Sequence, residues 1–207
     1  PLQRALNARG YVVASLDYRL APAAPWPAQL TDAKCAVRFL RAHAAALRID
    51  PARIGVWGSS AGGQLAALLG TAGPAAGFDV GQYLEQPSAV RAVVDMFGPT
   101  DLARLDGADP FTRVVVRLGL GASPATRRTA SPVTYLAPGA PPFLILQGED
   151  FVRPQSAAFA ERLRVAGVPV TYIPVQGTGH TLDTPTQRPA PEQLTGSVVS
   201  FFDQTLR

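Results

Sequence analysis

Five short runs rich in apolar and β-branched residues recur along the chain: YVVASLDY (11–18), IGVWG (54–58), VRAVVDMFG (90–98), PPFLILQG (141–148) and VPVTYIPV (168–175). Runs of this length without strict alternation are the pattern of strands buried on both faces. Helical patterns lie between them. Over 28–47, Leu30, Ala33, Val37, Leu40, Ala44 and Leu47 recur at helical spacing. Further helices are expected at 1–9, through QLAALLG to Gly70, at 156–167 and at 191–206. The Pro-rich LAPAAPWP (20–27) cannot be strand. The stretch 71–88 reads as loop, and 100–140 as irregular with a short helix at 111–118. This alternation predicts an α/β fold: a mostly parallel sheet with helices on both faces. No repeat, low-complexity tract or inter-domain linker interrupts it, so 1–207 is expected to form one domain.

Composition removes several function classes. Of 207 residues, 47% are hydrophobic and 16% charged, which is a globular composition. No stretch approaches the roughly 18 uninterrupted apolar residues of a membrane span. The single Cys35 excludes an internal disulfide, and no Cys/His cluster has metal-ligand spacing. The formal charge of +4 comes almost wholly from arginine, since Lys34 is the only lysine. Arg38, Arg53, Arg91, Arg117 and Arg162 are scattered and form no long basic run, which argues against a nucleic-acid partner. The chain opens at Pro1 without a signal-peptide pattern, and the expectation is that it is incomplete at its N-terminus.

The strongest chemical signal is GVWGSSAGGQL (55–65), where an apolar strand runs into glycines and serines. Gly58-Ser59-Ser60-Ala61-Gly62 fits G-x-S-x-G with Ser60 at its centre; Ser59 is off-centre. Between a strand and a helix such a turn brings positions 58 and 62 close together. It strains the middle residue and exposes its hydroxyl above the sheet. The following helix aims its positive end at the same place, where a developing oxyanion would lie.

A serine hydroxyl needs a base, usually histidine, and the chain has two. His43 falls within the expected helix 28–47, among alanines, and reads as a surface or packing residue. His180 follows QGTG after the last strand, where a base belongs in the order Ser, acid, His. An acid must orient the imidazole. Asp150, in LQGEDFVRP, is preferred over its neighbour Glu149. Asp95, ending the strand VVDM, is a candidate to contact substrate or brace a loop. Asp17 is expected to pair with Arg19 or a backbone group. The region 100–140, the Trp26 segment and the aromatics Phe97, Phe111 and Phe151 are candidates to wall a substrate pocket.

Taken together, GYVVASLDYRLAP, IDPARIGVWGSSAGGQLAALLGT, VVDMFGPTDL, SPVTYLAPGAPPFLILQG and GVPVTYIPVQGTGH resemble α/β-hydrolase esterases over nearly all of 1–207. The resemblance is to the acetyl-esterase and feruloyl-esterase-like group, related to the hormone-sensitive lipase family. It implies a carboxylic-ester hydrolase acting on small or short-acyl esters, without metal or organic cofactor. Carried over by motif, Ser60 is the nucleophile, Asp150 the acid, His180 the base, and the Ala61 N–H one oxyanion donor. Pro154 stands at the family's distance after Asp150.

Two departures stand out. The family's HG before the acid is Gln147-Gly148 here, and the loop to the acid is shorter by about one residue. The family's upstream HGG motif, which completes the oxyanion hole, is absent, together with the strand before it. In the family that strand lies between those matching YVVASLDY and IGVW, so the sheet is expected to carry an unpaired edge. A longer protein, altered pairing, or a strand from a second copy in a homo-oligomer would each resolve this. Loss of one oxyanion donor typically slows acyl transfer by about 10²–10³-fold. Three readings therefore stand: a serine carboxylesterase, an amidase-type hydrolase such as an arylformamidase or peptidase, and a catalytically silent module of the same fold.

Overall fold

The computed structural model describes residues 1–121 and 123–207; the side chain of Phe111 lies outside the described set, and with it that candidate for the pocket wall. Four five-residue strands, β1 (Gly55–Ser59), β2 (Ala92–Met96), β3 (Phe143–Gln147) and β4 (Val170–Pro174), form one sheet in the order β1-β2-β3-β4. All three pairings are parallel, with Trp57 opposite Val94, Val94 opposite Leu144, and Leu144 opposite Thr171.

Side chains of the central strands alternate between two cores. Val93, Phe143 and Ile145 face one, with Leu30, Val37, Leu65, Leu68, Phe159 and Leu163. These come from α2 (Ala28–Ala42), α4 (Ala61–Thr71) and α7 (Arg153–Val165). Ala92, Val94, Leu144 and Leu146 face the other, with Leu6, Leu194, Val198, Phe202 and Leu206 from α1 (Leu2–Ala8) and α8 (Pro191–Leu206). The sheet is thus covered on both faces, as the unbroken apolar runs require.

Three local expectations change. The helix 28–47 divides at His43, leaving α3 (Ala44–Leu47) as a separate turn. The region 100–140 carries more than α5 (Pro110–Leu120). It also holds α6 (Pro124–Thr129), started by the Ser123 hydroxyl, which accepts from Thr126 N–H, and by Pro124 in the first turn. Arg19 pairs with Asp32 on α2 at 2.7 Å, rather than with Asp17, and ties the Pro-rich segment to that helix.

The largest correction concerns YVVASLDY: no strand forms there. Tyr11 and Val13 pack toward the α1/α8 core while Val12 between them is 62% exposed, so the strand-like alternation survives without a ladder. β1 ends the sheet instead. The gap is not closed by altered pairing; among the described residues no strand lies along the free edge of β1. A β-run becomes a strand only when a neighbour accepts its hydrogen bonds.

Candidate active site

Ser60 stands between β1 and α4 with φ of 54° and ψ of −121°. Left-handed φ is uncommon for a non-glycine residue and costs about 1–3 kcal/mol, so it persists only where neighbours enforce it. One enforcing contact is the Ser60 N–H, which donates to the Met96 carbonyl at 2.9 Å. The other is crowding: a Cβ at Gly58 would lie 2.1 Å from the Gly62 carbonyl oxygen. At Gly62 itself a Cβ would meet nothing within 4 Å, so the crowding that the motif predicts lies on the Gly58 side alone. Ala61 opens α4, and its amide therefore has no acceptor within the helix.

The three predicted side chains come together. Ser60 Oγ lies 2.7 Å from His180 Nε2, and His180 Nδ1 lies 2.6 Å from Asp150 Oδ2. Asp150 is nearly enclosed, with its side chain 10% exposed, while the imidazole is 40% exposed and faces the cavity. Glu149, the alternative acid, points elsewhere: it accepts from Gly177 N–H at 3.2 Å and pairs with Arg153. Ser59 ends β1, and the serine oxygen bonded to the imidazole is that of Ser60.

The acid is held by a residue that motif reading passed over. Gln147, at the end of β3 and fully buried, donates from Nε2 to Asp150 Oδ1 at 2.8 Å. Its own Oε1 accepts from Ser156 Oγ at 2.8 Å. Val152 N–H donates to the same Asp150 oxygen. The glutamine that departs from the family's HG is therefore what orients the carboxylate; its place directly before Gly148 was the available signal. The loops bearing acid and base touch closely: a Cβ at Gly148 would lie 2.1 Å from the Gly179 carbonyl oxygen.

A cavity of about 730 Å³ opens over Ser60, Ala61 and His180. Trp26, Leu102, Val115, Val116, Leu120 and Phe151 contribute apolar walls, so the Trp26 segment and the 100–140 region shape it as expected. Phe97 does not line it. Its ring packs edge-on against His180, with centroids 4.7 Å apart, while Phe151 stacks on the imidazole at 6.4 Å.

His43 plays no part here. It sits at the α2–α3 junction, with Nδ1 2.9 Å from the Phe39 carbonyl oxygen and its ring against Phe39 and Tyr83. Asp95 braces a loop: fully buried, it accepts from Gly98 N–H at 2.8 Å. Burial pushes its carboxyl up to about 7, opposed only by that one hydrogen bond.

Residues 1–163 match the family described as BD-FAE. The chain is 36% identical over 188 residues to Esterase LipC of Mycobacterium tuberculosis, a match covering 86% of this chain and 47% of that protein. It is 35% identical over 174 residues to Carboxylesterase NlhH of the same organism, covering 77% and 52% respectively. The chain spans about half the length of the curated relatives it matches. Among solved structures, a truncated form of a carbohydrate esterase from gut microbiota is similar with a TM-score of 0.74 at 31% identity, over 92% of this chain and 73% of that one. The hyperthermophilic esterase of the archaeon Pyrobaculum calidifontis gives a TM-score of 0.82 at 24% identity, over 100% of this chain and 70% of that one, a likeness of fold alone. With its parallel sheet covered on both faces and a serine at the β1–α4 turn, the chain has the α/β-hydrolase fold and belongs to the BD-FAE family.

Proposed function

We propose that residues 1–207 form one α/β-hydrolase domain carrying the catalytic centre of a serine carboxylesterase for small or short-acyl esters. The observation that carries this reading is the unbroken hydrogen-bonded line from Ser60 through His180 to Asp150, at the floor of an apolar cavity. A cavity of this size lies in the range that takes a small molecule. Relatives named as esterases support the same reading.

Each residue then has a step. Ser60 Oγ attacks the ester carbonyl carbon as its proton passes to His180 Nε2. Asp150 Oδ2 holds Nδ1–H and stabilises the imidazolium. The carbonyl oxygen, now negative, meets the Ala61 N–H and the positive end of α4. The tetrahedral centre collapses, the C–O bond to the alcohol breaks, and His180 returns the proton to the leaving oxygen. Water, deprotonated by the same Nε2, then releases the acid from Ser60.

A silent module of this fold is the competing outcome of the test. Hydrolysis of p-nitrophenyl acetate and butyrate, compared with Ser60→Ala, separates the two, together with labelling by a fluorophosphonate. Hydrolysis and labelling lost in the variant are the expected result. Equal background rates with an unlabelled Ser60 would establish the silent module.

A further inference from the structure

Asp95 is a fully buried carboxyl that the proposed chemistry does not use. It stands on β2, which pairs with β1 on one side and β3 on the other. Its Oδ1 accepts from Gly98 N–H at 2.8 Å and is wedged against the helix that follows Ser60. A Cβ at Gly63, in the first turn of α4, would lie 2.5 Å from that oxygen; one at Gly98 would lie 2.4 Å from it. Between Asp95 and Gly98 the segment makes two contacts with the site, one through its backbone and one through a ring. The Met96 carbonyl accepts the Ser60 N–H at 2.9 Å. Phe97 holds φ of 45°, with its ring against His180. That φ is strained for a bulky residue and needs enforcement. Phe97 N–H donates to the Leu146 carbonyl at 2.8 Å, and the Asp95–Gly98 bond restrains the same turn from the next residue.

We propose that Asp95 is a positioning residue for His180: it latches Gly98, so that Phe97 fixes the face of the imidazole, and it spaces that aromatic from the Ser60 helix. The inference rests on the proposed Ser60–His180 pair. A carboxyl is a costly occupant of this place. Its Oδ2 has no hydrogen-bond partner among the described residues, and burial opposes its ionisation. An apolar side chain would pack here without that cost but would leave the Gly98 N–H without its acceptor. What the carboxyl adds is therefore the hold on the 97–98 turn.

The test follows His180 directly. The chain has two histidines, so their ring signals can be observed by NMR without turnover, His43 serving as internal reference. Asp95→Asn keeps an oxygen that accepts from Gly98. Asp95→Leu fills a similar volume without one, and Asp95→Ala serves if the leucine variant does not fold. The expected result is that Leu or Ala moves the His180 signals and not those of His43, while Asn moves neither. On p-nitrophenyl butyrate the variant lacking the acceptor should lose about 10²-fold in kcat at unchanged KM, the scale of a misplacement near 1 Å. Asn should restore the rate. His180 signals unmoved by both Leu and Ala overturn the proposal, as does an equal loss of kcat in Asn and Leu. His180 signals moved in the Leu or Ala variant, with a wild-type chain that hydrolyses nothing, would uphold the latch while refuting the esterase reading.

Discussion

Replacing Asp95 by asparagine should change how stability depends on pH. A free aspartate titrates near 3.9, whereas burial holds Asp95 at about 7 in the folded chain. Below pH ~4 both states carry the proton, and the group contributes no pH dependence. Between ~4 and ~7 the unfolded chain ionises while the folded chain stays neutral. The folded state then binds more protons, so stability falls as pH rises. Above ~7 the loss is complete. About three pKa units at 1.36 kcal/mol each give ~4 kcal/mol. Asparagine has the same shape and keeps the bond to Gly98 but does not titrate. The stability of Asp95→Asn relative to wild type should therefore rise by ~4 kcal/mol from pH 4 to pH 8. For a chain of this size that is roughly 8–16 °C in relative Tm. Urea and thermal unfolding, each measured for both proteins across that range, give the difference directly. A difference that stays constant with pH would refute the assignment of a proton to the buried carboxyl.

Two further variants probe the support around the candidate site. Gly148→Ala places a Cβ about where the Gly179 carbonyl oxygen lies, 2.1 Å away, and must push aside the loop that carries His180; kcat on p-nitrophenyl acetate should fall about 10²-fold, with fluorophosphonate labelling slowed in step. Gln147→Leu removes the Nε2 donor from Asp150 and leaves Ser156 Oγ without its acceptor; urea unfolding should show a loss of about 1–3 kcal/mol, and hydrolysis should drop while KM is retained.

Much of the molecule was legible in the order of residues. Strands β1 to β4 follow from apolar runs that only a doubly covered sheet can bury, and α8 falls on the boundaries its pattern predicts. Ser60 and His180 were readable because G-x-S-x-G after a strand and histidine after the last strand are local patterns. Asp150 was preferred over Glu149 from its place before Pro154, and the fold adds the physical difference between these adjacent carboxylates, which is where the backbone aims them. The contact of Gln147 with Asp150 was missed, and Phe97 was read as a pocket wall rather than as a neighbour of His180, for a related reason. Nothing in a glutamine or a phenylalanine announces that it will touch another chain segment. The failure of YVVASLDY to form a strand has the opposite lesson: its β-propensity is real, but pairing belongs to two segments, and among the described residues no strand pairs with it.

The sequence by itself determined the alternation of strands and helices and the two-faced burial of the sheet, and it pointed to the candidate serine and histidine that the fold brings together. Each of these depends on periodicity or on residues within one turn of one another. Only the tertiary structure decided how Asp150 rather than Glu149 is aimed at His180, what holds that acid, and that a buried carboxyl bonds the Gly98 N–H beside Phe97. Ser60, Asp150 and His180 span 120 positions of chain yet meet within 2.7 Å, and Asp95 reaches them through Gly98, Phe97 and Gly63. Such contacts are set by how parallel strands stack their carboxyl ends side by side, a relation that no local pattern encodes.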